Sequence, residues 1–361
     1  MTVQSDSLPA PRKRRKNVRP TDGGPSGPVA RTPAPDVESG PSLRAGWRVV
    51  AAKEFADHVT SLRFLVLTIV LSLAAAAAVY STAGALRNLA SEASGTPSLF
   101  LLLFTRGAGD IPYAFTTFIG FLGPLLGIAF GFDAINGERS DGTLPRLLSQ
   151  PIHRDDVING KFVAGLSAIG TILFAVMGIV AAVGVIQLGI VPSAEDVLRL
   201  MIWFIVALAY IGFWLAFALL CSVVLRRAAT SALAAVAVWL ALSLFFGLLI
   251  GILAGVVAPM DSDSPTGSAD RLANASIRVN LSRLAPNQLY QESTAVILDP
   301  QARTVTPDLV TPGQVDGAIR GLVSLDQSLL LIWGQFVGLI AVTVGAFALA
   351  YVAFMRQEVR A

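Results

Sequence analysis

Charge is in short supply. Only 14% of the 361 residues are Asp, Glu, Lys or Arg, while 54% are hydrophobic; an average soluble domain carries about 25% charged residues. A mean hydropathy of +0.65 points the same way, and the chain reads as an integral membrane protein. Cysteine is nearly absent. Cys221 stands alone, which excludes an intramolecular disulfide, and its apolar neighbours suit a buried, inert thiol. The two histidines, His58 and His153, lie far apart without companion ligands, so no metal site is expected. Missing too is the phosphate-cradling pattern G-x-x-x-x-G-K-[ST]: the Gly160-Lys161 pair is followed by Phe162 and lacks the upstream glycine. No spare stretch could house a nucleotide-binding domain of ordinary size, and no nucleophile–base set or acidic dyad lies inside the membrane. The chain is not expected to be an enzyme by itself.

What the sequence does have is long apolar runs. They fall near 63–83, 113–132, 162–190, 199–225, 228–257 and 328–355, each meeting the roughly 20 residues that a helix needs to cross a bilayer. The third is long enough to tilt or to project past the lipid. No Asp, Glu, Lys or Arg interrupts their cores, where Gln187 and Gln335 are the most polar residues. Proton-coupled transporters and voltage sensors generally carry ionisable groups there, and secondary transporters often show internal repeats; neither is visible. Basic residues are one-sided. The N-terminal cluster, the group Arg139, Arg146, Arg154 and Lys161, the pair Arg226-Arg227, and Arg356 with Arg360 share one side. The first two connections opposite offer only Arg87, Arg106 and, at a span edge, Arg199. The positive-inside rule then puts both termini in the cytoplasm.

Residues 1–42 are rich in Pro, Gly and Ser, with few large apolar side chains, so they are expected to form a disordered, basic cytoplasmic tail. Their Arg12-Lys13-Arg14-Arg15-Lys16 run matches a nuclear-signal pattern, which suits a multi-span protein poorly; attraction to anionic lipid is the more physical role. No apolar stretch follows closely enough for a signal peptide. From residue 43 to 62 the pattern turns helical, with Trp47, Val50, Ala51, Phe55, Val59 and Leu62 on one face, as in a helix lying in the membrane interface. Segment 258–327 is a long external loop. Its residues 261–268 read as flexible, and Thr311-Pro312 opens a stretch in which Val315, Ile319, Leu322 and Val323 share an amphipathic face.

Between the second and third runs lies a polar, charge-dense island. Asp141-Gly142 is turn chemistry, and Thr143 can cap a short helix with Pro145 in its first turn. Leu144, Leu147 and Leu148 then share one small apolar face, and Pro151 stops the helix. Such a helix either folds back on the bundle or offers a docking surface to a soluble partner. The residues Phe132, Glu138, Arg139, Gly142, Thr143, Leu144, Leu147, Leu148, Ser149, Pro151 and Arg154, closing on Gly160-Lys161, resemble the first cytoplasmic loop of type-2 ABC exporter permeases. The likeness is to the branch with the nitrous-oxide-reductase maturation permease and sodium or antibiotic exporter permeases. The string from Leu281 through Pro286 to Tyr290 is similar to that branch's external loop.

The resemblance implies an all-α polytopic fold of six membrane helices, with an N-terminal elbow helix and a cytoplasmic coupling helix, over residues 43–361. In that family the loop docks in a cleft of a separate ATPase, which would engage Glu138, Arg139, Gly142, Thr143, Leu144, Leu147, Leu148, Pro151 and Arg154. The implied working unit is a permease dimer, with an identical or paralogous subunit, and two ATPase copies. ATP and magnesium would sit on the ATPase and no cofactor on this chain. Lipid is an expected partner, nucleic acid is not, and the expected location is a prokaryotic cell membrane. Two alternatives are a membrane assembly factor that transports nothing and a secondary transporter.

Glycine spacing adds one signal. Gly123, Gly127 and Gly131 recur at every fourth residue of the second run, as Gly247, Gly251 and Gly255 do in the fifth. Such ladders let helix backbones approach closely. Packing within the chain explains either; the resemblance, in which these two spans line the interface and pathway between permease subunits, favours the second reading.

Overall fold

The computed structural model describes residues 46–92, 99–106, 114–143, 153–189, 191–259, 267–302, 305 and 323–357. The chain divides between Ser42 and Leu43, and every described residue belongs to the second unit. Expectations for the tail, for Leu144, Leu147, Leu148 and Pro151, and for the helical stretch after Thr311 fall outside the described residues.

The described residues form helices and no strand. In chain order they are α1 (Gly46–Val59), α2 (Leu62–Glu92), α3 (Leu99–Thr105), α4 (Phe115–Gly131), α5 (Asn136–Ser140), α6 (Arg154–Leu188) and α7 (Ala194–Val224). There follow α8 (Ala228–Leu240), a π turn (Ala241–Phe245), α9 (Phe246–Val257), α10 (Gly267–Ser282), α11 (Pro286–Leu298) and α12 (Leu325–Arg356). Six stretches are long and apolar enough to cross a membrane: Leu62–Tyr80, Phe115–Ser140, Arg154–Gln187, Ala194–Val224, Ala228–Val257 and Leu325–Arg356. They match the six apolar runs in number and order. The third and fourth start earlier than hydropathy places them, because capping rather than apolarity begins a helix. Ser193 Oγ accepts from the Asp196 amide at 3.1 Å, and Asp196 accepts from the Ser193 amide at 2.9 Å.

The core is built around the fourth span, α7. Its Trp203, Tyr210 and Trp214 are fully buried, and α4, α6, α11 and α12 pack on it. The glycines of α4 make the closest of these contacts possible. A Cβ on Gly127 would lie 2.6 Å from the Ile211 carbonyl oxygen, and one on Gly131 would lie 2.8 Å from that of Leu215. On Gly123 it would lie 2.9 Å from the Ile211 side chain. The first ladder is thus filled by a helix of the same chain. The second is not filled by any described residue: among these, nothing lies within 4 Å of a Cβ on Gly247 or Gly255, and only Arg278 Nη2, at 3.6 Å, approaches Gly251. The fifth span lies on the outside of the bundle, with 11% of its apolar window buried.

Two parts of the connections differ from the sequence reading. Residues 84–112 read as a plain connection, yet α3 lies within them and buries Phe100, Leu101, Leu103 and Phe104. Seven residues are too few to register as a span. The external loop, expected to be helical only after Thr311, holds α10 and α11 earlier. α11 starts with Pro286 in its first turn and buries Leu289, Tyr290, Val296 and Ile297 against α7 and α12. Its buried face also carries Ser293 and Glu292, which kept its hydropathy low. Glu292 is satisfied in place, accepting from Arg283 Nε at 2.9 Å and from Gln288 and Gln335 side-chain amides at 3.0 Å each. Gln335, a polar interruption of the last span, is explained by this bond. Arg199, expected at a span edge, is fully buried. It donates to the carbonyls of Ile297 and Val323 and to Ser328, joining α7 to α11 and α12.

Candidate functional site

α4 ends at Gly131, and the chain turns through residues 132–135 into α5. α5 is too short to hold itself, and its start is fixed from outside. The amides of Ile135 and Asn136 both donate to Ser222 Oγ near the end of α7, at 3.0 and 3.1 Å. Asp133 pairs with Arg63 through both oxygens at 3.0 and 2.6 Å, and Arg63 also reaches the Ala129 carbonyl at 2.9 Å. The start of α2 therefore grips the end of α4. At the far end of α5 the chain turns at Gly142, whose φ of 68° lies where glycine is favoured. The Thr143 amide then donates to the Glu138 carbonyl at 3.0 Å.

Lys161 sits at the centre. Its side chain is 4% exposed, and its ammonium lies 3.0 Å from Glu54 on α1 and 2.6 Å from Glu138 on α5. A buried ammonium is costly unless paired, so the two carboxylates hold the loop, the elbow helix and the third span in one register. Arg139 donates to Gln357 Oε1 at 2.7 Å and Arg154 to the Gln357 carbonyl at 3.0 Å. Gln357 in turn donates to the Val223 carbonyl. The base of the loop is thereby joined to the ends of the fourth and sixth spans.

The elbow helix is seated on α6 by the same logic. Asp156 takes the Trp47 amide at 3.0 Å and the His153 amide at 3.2 Å, so one carboxylate starts both α1 and α6. At Gly160 a Cβ would lie 2.6 Å from Val50, and the missing side chain lets α1 rest on the third span. The Asp57 carboxylate, hydrogen-bonded 3.1 Å away, raises the pKa of Lys53 above its ordinary value, as does Glu54 beside it. Burial lowers that of His58, whose ring stands edge-on to Phe130 at 5.1 Å.

Of the residues singled out in sequence, Glu138, Arg139 and Arg154 come together here, while Gly142 and Thr143 form the turn just beyond. Within the chain, Glu138 pairs with Lys161 and Arg139 with Gln357. The leucines and Pro151 lie outside the described residues. Sequence reasoning gave no role to Glu54, Arg63, Asp156 or Gln357, and saw Lys161 only as part of a string. Asp156, three residues after the start of a polar helix entry, was the one with a local signal. The others are joined by distant pairings. The arrangement contains no nucleophile with a base, and among the described residues no group of three His, Cys, Asp or Glu could hold a metal ion. What it does is structural: α5 is tied to the third span through Lys161, to the fourth through Ser222 and to the end of the sixth through Gln357.

A family model described as ABC-2 family transporter protein matches residues 48–359. The chain is also 32% identical over 136 residues to the probable ABC transporter permease protein NosY of Stutzerimonas stutzeri, a match covering 36% of this chain and 47% of that protein. It thus spans about half the length of that relative.

Proposed function

The chain belongs to the ABC-2 family of transporter membrane proteins, and from that premise we propose that it is an exporter permease subunit driven by a separate ATPase. Two permease subunits, identical or paralogous, work with two ATPase copies, and ATP and magnesium sit on the ATPase. Both termini and the 132–153 loop face the cytoplasm. The loop's helix, with Leu144, Leu147 and Leu148 as its apolar face and Gly142, Thr143 and Pro151 setting its ends, enters the ATPase.

The observation that carries the reading is the buried Lys161 between Glu54 and Glu138. A loop that merely connected two spans would gain nothing from a desolvated three-charge clamp at its base; a loop that receives force needs one. When ATP draws the ATPases together, motion of the loop passes to the second and third spans directly. It passes to the elbow helix through Lys161, and to the sixth span through Arg139, Arg154 and Gln357.

Leu147→Asp tests this. A carboxylate on the docking face would be desolvated at a cost of several kcal/mol. The variant should insert and purify normally while the co-purified ATPase falls by at least tenfold, about 1.4 kcal/mol of lost affinity. Wild-type recovery of the ATPase would remove that face from the contact.

A further inference from the structure

At the end of the bundle away from the loop, α3, α4, the π turn and α11 line an open cavity of about 680 Å³. That is within the range of small-molecule sites, roughly 300–1,000 Å³. Its construction is specific. α11 is two-faced: one side is packed on α7 and α12, and the other presents Asn287, Gln291 and Thr294 to the cavity. Tyr290 holds α11 in place by donating to the Thr116 carbonyl at 2.9 Å and stacking on Tyr210 at 4.7 Å. Gly120 leaves room for that ring, which would lie 3.1 Å from a Cβ there. Opposite, the fifth span departs from α-helical geometry at Ala241–Phe245 and turns Ser243 and Leu244 to the cavity. Such wide turns are uncommon and concentrate at functional sites.

The lining decides the chemistry. Hydroxyls and amides from Thr117, Ser243, Asn287, Gln291 and Thr294 alternate with apolar surface from Leu102, Phe121, Leu244 and Leu298. Among the described lining residues the formal charges are one cation, Arg106, and one anion, Asp299. Both are exposed, and neither forms an ion pair with a described residue. Asn287 accepts from Gln291 and Thr294 from Trp203 Nε1, each at 3.2 Å, and the amide and hydroxyl groups beyond these two bonds favour an occupant with polar atoms of its own over a purely apolar one. A bare metal ion would find no cluster of ligands among the described residues. The geometry points to a binding site for a zwitterionic, amphipathic organic molecule of drug-like size, its apolar body on Phe121 and Leu244 and its two charges at Arg106 and Asp299. As an identification of cargo this rests on the permease reading; as a binding site it stands by itself.

The test uses the full chain with its ATPase in lipid nanodiscs, in a Cys221→Ser background with a single cysteine at Gln291. Three xanthene dyes of similar size serve as probes: zwitterionic rhodamine B, cationic rhodamine 6G and anionic fluorescein. Rhodamine B should slow maleimide labelling of Gln291→Cys most strongly while leaving a control cysteine at the exposed Asn280 unaffected. Thr117→Trp, which fills space in the cavity, should abolish protection. Arg106→Gln should shift preference about fivefold toward rhodamine 6G, the modest size expected for a water-exposed ion pair. Equal protection of both cysteines, or none, with the ATPase still bound, would overturn the site and leave the permease reading intact. Protection of Gln291→Cys in a preparation that never binds an ATPase would keep the site and sink its role in cargo.

Discussion

At the residue scale the buried charges matter most. Lys161→Met would leave Glu54 and Glu138 close together without the cation between them, Glu54 keeping only the exposed Lys53 at 3.7 Å. Both are mostly buried, with side-chain exposures of 14% and 20%, so the cost should be on the order of 3–5 kcal/mol. Thermal unfolding in detergent should show a clear fall, and adding Glu54→Gln and Glu138→Gln to the same chain should recover most of it. No recovery would mean that packing of the lysine stem, and not charge, holds the clamp. His58 gives a pH signature. Burial keeps its pKa below the ordinary 6.5, so unfolding raises proton uptake in the interval between the folded value and 6.5. Its contribution is complete above that interval and is lost as pH falls through it. The melting temperature of the parent should therefore drop on acidification from pH 7.5 to 5.5 by more than that of His58→Phe, which keeps a ring against Phe130.

At the scale of elements the two glycine ladders part company. In α4, Gly127→Leu would drive a side chain into the α7 backbone, where only 2.6 Å separates a Cβ from the Ile211 carbonyl. The expected loss is at least the 1–3 kcal/mol or so typical of overpacking, read as poor yield of folded monomer. Among the described residues, Gly251→Leu meets only the flexible end of Arg278 at 3.6 Å. It should melt like the parent as a monomer. If the fifth span faces a second permease subunit, as the resemblance to ABC exporter permeases implies, the same variant should run as a monomer in mild detergent where the parent is a dimer. A Gly251→Leu variant that still dimerises would leave this face to lipid. The contrast arises from one geometric fact: the same small-residue spacing is filled by α7 in one span and, among the described residues, filled by no helix in the other.

For the whole molecule, orientation is the property on which the docking assignment depends. Cysteines placed at Ser140 and at Asn280, both exposed, should report it in a Cys221→Ser background. An impermeant maleimide added to intact cells should label Asn280→Cys and reach Ser140→Cys only after permeabilisation. The opposite pattern would place the loop outside, beyond reach of a cytoplasmic ATPase.

The sequence by itself determined the class of the molecule. Six long apolar runs can only be membrane helices, because lipid offers no partner to an unpaired backbone group. The island between the second and third runs carried the resemblance to ABC permeases, and Asp141-Gly142 marked its turn. These are local signals, readable from composition, period and spacing. Tertiary structure decided everything that depends on who meets whom. Lys161 between Glu54 and Glu138, Arg63 on Asp133 and Gln357 under Arg139 join residues far apart in the chain, and no periodicity announces such pairs. α3 was too short and α11 too polar for hydropathy to place them in the core. Their burial depends on partners: aromatic neighbours for Phe104, and Arg283, Gln288 and Gln335 for Glu292. A helix crossing lipid is specified by its own side chains; a polar helix packed among others is specified by theirs.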